Sequence, residues 1–288
     1  MRKWLLAARL QTLYAIISPV IIGSVLAHID GSSNLFLTLV ILLAAILIQI
    51  GTNFVNDVYD YEKGSDNEDR LGPIRVTQSG LISPKKMKIA TILIFVLAIL
   101  IGIYLVNIGG VPILLIGILS IISGVAYTAG PYPIGYVGLG DIFVFIFFGL
   151  IAVSGTYYLH TNEISGISLL LGVGMGMLSN ALLVINNLRD IETDKKSGKK
   201  TLAVRFGYKF SRIQYIFLIV TPVLVPIYLW YIFEKDILII IMLFLFIISV
   251  RLATKAFYTK GKNLNYILFE TSQYQLFFTI LICIGMLI

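Results

Sequence analysis

Nine stretches of roughly twenty apolar residues constrain this chain more than any other feature. They run at about 10–28, 35–56, 87–106, 111–129, 139–159, 167–189, 213–233, 236–253 and 267–288. About 20 such residues are what a helix needs to cross the hydrocarbon core of a bilayer. Backbone in lipid must satisfy its own hydrogen bonds, so each stretch is expected to be helical. The seventh and eighth are parted only by Glu234, Lys235 and Asp236. Composition agrees: of 288 residues 58% are hydrophobic and 13% charged, where a soluble chain carries about a quarter charged. The expected fold is all-α, a polytopic membrane protein with nine transmembrane helices, forming one domain over 1–288.

Charge sets the expected orientation. With nine crossings, the N-terminus and the connections 2–3, 4–5, 6–7 and 8–9 share a side, and that side holds every Lys and Arg except Lys235. The positive-inside rule makes it cytoplasmic and puts the C-terminus outside, in a cell (inner) membrane. The net charge of +7 is thereby topology, and no soluble basic domain exists to bind nucleic acid. Cys283, the single cysteine, lies in the last span, which excludes a disulfide framework or a cysteine metal site. His28 and His160 fall in outer connections, away from any shared metal site. The run from Met1 to His28 lacks a small-residue cleavage site and is expected to be a retained helix.

Two long polar connections, about 57–86 and 190–212, lie on the same side and begin alike. The second span ends Asn53-Phe-Val-Asn56-Asp57-Val-Tyr-Asp60; the sixth ends Asn186-Asn187-Leu-Arg189-Asp190-Ile-Glu192-Thr-Asp194. Asn56 and Asp60 correspond to Asn186 and Asp190, as in an internal repeat with its site between the halves. Residues three and four apart share a helix face, so each end presents several oxygens together. Carboxylates and amides suit a hard cation such as Mg²⁺, which binds through a few carboxylates plus substrate phosphate. The plainer alternative is a pair of solvated helix ends neutralised by Lys63, Arg70, Lys195 and Lys196. Two such clusters in register at one interface favour the metal reading.

These residues resemble the UbiA superfamily of intramembrane prenyltransferases, whose members carry two aspartate-rich motifs after helices 2 and 6 of a nine-helix bundle. Within it the chain is most similar to the 1,4-dihydroxy-2-naphthoate polyprenyltransferases of menaquinone synthesis. The carrying stretches are Asn53–Asp66, Gly72–Pro84, Gly130–Gly155 and Asn186–Gly207, and Arg9 and Thr12 also fit. Many members have a third Asp where this chain has Gly64, with Asp66 following, which leaves Asp66 either a ligand or a loop residue.

The resemblance implies a Mg²⁺-dependent transfer of a polyprenyl group from its diphosphate to 1,4-dihydroxy-2-naphthoate, with loss of CO₂ and diphosphate, giving a demethylmenaquinol. It implies metal held by Asn56, Asp60, Asp190 and Asp194, with Asp57 as a further contributor. Arg75, Arg189, Lys195, Lys199 and Lys200 are the candidates for diphosphate, Gln78 and Ser79 for diphosphate or acceptor, and Arg9 for substrate. Tyr127 leads the aromatic residues available to face an allylic cation, with Tyr59, Phe143 and Phe147 behind it. Asp141, at the head of the fifth span, is a candidate base or acceptor-orienting group, or simply a favourable charge at a helix N-terminus. The loop after Gly72 is expected to act as a lid. Another aromatic acceptor, such as 4-hydroxybenzoate, is the alternative within this chemistry. A transporter is the alternative outside it, although transporter sites sit near the bilayer midplane.

Overall fold

The computed structural model describes residues 2–66 and 70–288, and these contain helices and no strand. The elements are α1 (Arg2–Ala8), α2 (Leu10–Ile29), α3 (Leu35–Glu62), α4 (Pro84–Ala126), α5 (Gly140–Phe145), α6 (Ala152–Thr161), α7 (Gly166–Arg189), α8 (Ile191–Lys196), α9 (Leu202–Val220), α10 (Val225–Phe233), α11 (Ile237–Tyr258) and α12 (Leu264–Leu287). A π-helical turn at Ile146–Ile151 joins α5 to α6. A 3₁₀ turn at Thr221–Leu224 joins α9 to α10, at the position where Pro222 removes a backbone donor. Side chains define several starts: Asn34 accepts from the Leu37 amide, Ser165 and Ser168 form a capping box, and Thr201 accepts from Val204.

Among the described residues eight helices are long and apolar enough to span a membrane, so the chain is an integral membrane protein. The expected count of nine differs because spans three and four are the two arms of α4. At 43 residues α4 would measure about 65 Å if straight, twice the hydrocarbon thickness. It is not straight: Gly110, at φ 64° and ψ −151°, has a backbone geometry that only glycine adopts readily, and Pro112 follows. The arms lie along the same level of α3. A Cβ at Gly51 would meet the Phe95 ring at 2.6 Å, and one at Gly124 would meet Thr52 Oγ1 at 2.3 Å.

The central helix is α7, most of it buried, whereas α4 on the rim is largely exposed. Its glycines allow this. A Cβ at Gly149 would lie 2.4 Å from the Gly172 carbonyl oxygen and 2.5 Å from Gly176 Cα, so the π-turn rests directly on the α7 backbone. The main core joins α2, α7, α9, α11 and α12, with Ile22, Met175, Leu178, Ile219 and Phe278 fully buried.

Contacts between chain-distant residues define two ends. At one, Asn53 donates to the Ala8 carbonyl, Thr128 to Asn56, and Arg189 to Asn265. At the other, Thr38 pairs with His160, Tyr157 donates to Asp30, and Tyr158 donates to the Gly109 carbonyl. The first end carries both acidic motifs.

Candidate active site

The first acidic motif is shaped by the way α3 stops. Lys63 caps the helix, Gly64 takes a left-handed conformation (φ 71°), and the amides of Ser65 and Asp66 then donate back to the Asp60 carbonyl at 2.9 and 3.1 Å. The chain therefore doubles back and returns Asp66 to the helix end. This explains the glycine at position 64: a side chain there would oppose the turn that brings Asp66 into place. Asp66 is buried and ion-paired to Arg70 and, at 2.9 Å, to Arg75 Nε. Arg75 also reaches Asp60 Oδ2 at 3.9 Å.

The second motif closes α7. Arg189 is buried and donates Nε to Asp190 Oδ1 (2.7 Å), Nη1 to Asn265 Oδ1 (2.7 Å) and Nη2 to Asn186 Oδ1 (2.5 Å). Asn265 in turn donates to the Leu71 carbonyl, which carries the first loop onto this arginine. A Cβ on Gly72 would stand 2.8 Å from Arg189 Nη2, so the loop passes closely enough to require glycine.

One ammonium joins the two halves. Lys199 Nζ lies 3.5 Å from Asp60 Oδ1 and 3.7 Å from Asp194 Oδ1. Gly198 (φ 78°) and the Lys199 amide, which donates to the Asp194 carbonyl at 2.9 Å, set this position. Below the lysine is the Tyr136 ring, 4.8 Å from Nζ, with Lys63 at 5.0 Å from the same ring. The Tyr136 hydroxyl donates to Asp60 Oδ1 at 2.7 Å and accepts from Ser65 at 2.6 Å. Burial and the nearby Asp60 push its pKa up, so it stays a donor.

A cavity of about 1160 Å³ extends from this cluster through the bundle. Arg9, Asn56, Arg70, Arg75, Tyr127 and Asn186 line it near the charged end, and Val20, Leu105, Ile113 and Leu159 line it at the other. Arg9 is held in a left-handed conformation (φ 51°) between α1 and α2, strain of about 1 kcal/mol or more that marks a constrained site. Its Nη2 contacts the Asn53 carbonyl at 3.5 Å. Phe143 and Phe147, stacked at 6.0 Å between centroids, form an aromatic wall of the same cavity.

The structure therefore sorts the residues proposed from sequence. Arg9, Asn56, Arg75 and Tyr127 line the cavity, while Asp60, Asp190, Asp194, Arg189 and Lys199 form the charged cluster beside it. Asp57 has another task. Its oxygens accept from the backbone amides of Val76 (3.3 Å) and Thr77 (2.9 Å), so it anchors the loop rather than facing a metal. Gln78 and Ser79 lie in that loop outside the cavity wall, and Lys195 and Lys200 are exposed. Asp141 is buried, accepts from Gln214 at 2.7 Å and does not line the cavity, so it positions α5 against α9. Tyr59 packs beneath Lys88, away from the cavity. Sequence reasoning missed Tyr136 and gave Arg70 only a neutralising role. Both lie in connections without helical periodicity, where spacing conveys nothing about what they face.

The cluster holds its charge under tension. Burial pushes Asp194 up to about 6, against the pull of Lys199, with Asp190 and Asp60 raising it further. Asp66 also rises to about 6 because burial outweighs Arg70. Burial alone would lower Lys199, but Asp60 and Asp194 more than reverse that. Among the described residues no three carboxylate, histidine or cysteine side chains converge to hold an ion unaided. The donors present are carboxylate and amide oxygens from two helix ends, which fits Mg²⁺ shared with a phosphate ligand and not a closed protein cage.

Comparison with known proteins agrees with this geometry. The chain is 43% identical over 228 residues to 1,4-dihydroxy-2-naphthoate octaprenyltransferase of Haemophilus influenzae, covering 76% of this chain and 74% of that one. It is 42% identical over 212 residues to the enzyme of the same name in Escherichia coli K12, covering 72% and 69%. In fold it is similar to a UbiA homolog from Archaeoglobus fulgidus bound to DMAPP and Mg²⁺, with TM-score 0.72, 17% identity and 97% of each chain covered. The model of the UbiA prenyltransferase family matches residues 16–281, and the chain belongs to that family.

Proposed function

We propose that this protein transfers a polyprenyl group from polyprenyl diphosphate to 1,4-dihydroxy-2-naphthoate, with loss of CO₂ and diphosphate, as a step of menaquinone biosynthesis. The observation that carries the reading is the meeting of Asp60 and Asp194 around one cationic centre at the head of a long apolar cavity. The relatives named for this reaction supply the acceptor.

The residues divide the work. Asn56, Asp60, Asn186, Asp190 and Asp194 would hold Mg²⁺, which when bound neutralises charge on the diphosphate as a Lewis acid. Arg70, Arg75, Arg189 and Lys199 bring four further positive charges to the same place, and these stabilise the leaving group as the C–O bond breaks. The apolar cavity takes the isoprenoid tail and excludes water from the allylic cation. The faces of Phe143, Phe147 and Tyr127 line the region where that cation forms. The ring carbon bearing the carboxylate attacks. Its C–C electron pair returns to the ring as CO₂ leaves, so no base is needed to remove a ring proton. That accords with Asp141 being occupied by Gln214.

We further propose nine membrane crossings, with the arms of α4 counted separately. The charged end then faces the cytoplasm, the N-terminus inside and the C-terminus outside. A site at one interface supports an enzyme acting on a lipid-tailed diphosphate, since transporter sites lie near the midplane. Incubating the purified protein with Mg²⁺, prenyl diphosphate and either 1,4-dihydroxy-2-naphthoate or 4-hydroxybenzoate tests the acceptor. Product from the naphthoate alone is expected. Product from 4-hydroxybenzoate alone would overturn the acceptor and leave the reaction class standing.

A further inference from the structure

Each acid of the cluster already has a basic partner from this chain. Asp190 is held by Arg189 at 2.7 Å, Asp66 by Arg70 and by Arg75 at 2.9 Å, and Asp60 by Arg75 at 3.9 Å. Lys199 Nζ stands between Asp60 and Asp194, at 3.5 and 3.7 Å, in contact with an acid of each half. Among the described residues these four carboxylates are thus each met by a side-chain cation, and a divalent ion arriving alone finds its ligands already paired. Its approach is opposed most at Lys199, which occupies the space between the carboxylates that would share it.

We propose that Lys199 is an internal counter-ion which locks the two acidic helix ends together and makes metal loading depend on the diphosphate. A prenyl diphosphate brings several negative charges to the cluster. They draw the Lys199 ammonium away from Asp60 and Asp194, on a side chain flexible enough to follow, and those carboxylates then accept the metal. Arg75 and Arg189 are fixed by bidentate or multiple contacts and do not move in this way. Tyr136 supports the exchange from below. Its ring faces Nζ at 4.8 Å and its hydroxyl holds Asp60, so the carboxylate stays in place as the lysine leaves. The inference rests on the metal–diphosphate reading above and adds an order to it: the metal enters with the diphosphate or after it.

Mn²⁺ binding to the purified full-length protein, read from the loss of the free-ion electron paramagnetic resonance signal, tests this without turnover. The probes are Mn²⁺ alone and Mn²⁺ with geranylgeranyl thiolodiphosphate, which does not ionise readily. Wild-type protein is expected to hold Mn²⁺ alone weakly and to gain roughly tenfold or more in affinity with the analogue. In Lys199→Met, Mn²⁺ alone should bind roughly tenfold more tightly than in wild type, shrinking the gain from the analogue, while in Lys199→Arg, which keeps the charge, Mn²⁺ alone should bind as weakly as in wild type. Equal Mn²⁺ affinity in wild type and Lys199→Met, with the analogue still tightening both, would overturn the counter-ion role and spare the metal site. Tight binding of Mn²⁺ alone by wild type would overturn it even if the methionine variant failed to fold. No Mn²⁺ uptake in any protein, analogue included, would remove the metal reading itself.

Discussion

Asp60 and Asp194 come from opposite halves of the chain, yet both lie within 4 Å of one ammonium. A carboxylate needed for charge rather than for packing should be intolerant of an isosteric amide. Asp60→Asn and Asp190→Asn are each expected to lower turnover at least a thousandfold, roughly 4 kcal/mol, in a protein that still folds and melts cooperatively. An assay of prenyl transfer beside a melting curve checks both halves of that statement. Tyr136→Phe removes one hydrogen bond to Asp60 and should cost about tenfold in kcat, near 1.4 kcal/mol. The pH dependence follows from Asp194 at about 6. An acid raised above its ordinary value is protonated sooner as pH falls, and a protonated carboxyl does not ligate metal. Mn²⁺ binding with the diphosphate analogue should therefore weaken below about pH 6, and a flat profile from pH 5 to 8 would contradict the role. For stability the sign is opposite. The folded chain binds this proton more readily than the unfolded one, so Asp194 opposes folding at neutral pH, and that opposition shrinks as pH falls below about 6 and is gone only below the ordinary Asp value of 3.8.

At the level of elements, most helices were legible because apolar runs of the right length leave lipid-embedded backbone no alternative. The break in α4 was legible too: Asn107, Gly109, Gly110 and Pro112 interrupt the apolar run where the third and fourth expected spans part, and Gly110 takes the positive φ there. Gly110→Ala should destabilise the protein by about 1–3 kcal/mol, seen as a lower melting temperature, because alanine resists that geometry. Gly166→Ala, whose added methyl meets nothing within 4 Å, should be neutral and serves as the control. The site was legible only in part. Helical spacing found Asn56, Asp60, Asn186 and Asp190 because they stand at matched positions of two helix ends. The same spacing misassigned Asp57, one residue from Asn56 and turned a hundred degrees around the helix, towards the amides of Val76 and Thr77. Gln78 and Tyr136 lie in connections, and Lys195 in the short helix α8, whose placements depend on tertiary contacts. A polar residue there carries no signal of what it faces.

Across the whole molecule, one end is polar, charged and tied by long-range hydrogen bonds, and an apolar cavity descends from it. The proposed topology puts that end in the cytoplasm. Cys283 is buried, so single added cysteines can be read against it. A membrane-impermeant thiol reagent should label Ser33→Cys in intact cells and Lys195→Cys only after permeabilisation, and the reverse pattern would invert the topology. The account depends most on two halves jointly holding a metal-bound diphosphate that gives its prenyl group to a naphthoate. The direct test is product formation from geranylgeranyl diphosphate and 1,4-dihydroxy-2-naphthoate, with product mass and released CO₂ followed together as Mg²⁺ is supplied or chelated. The predicted result is a demethylmenaquinol with one CO₂ per product, formed with Mg²⁺ and absent with chelator. Undiminished product under chelation, or a product that retains the carboxylate, would contradict it.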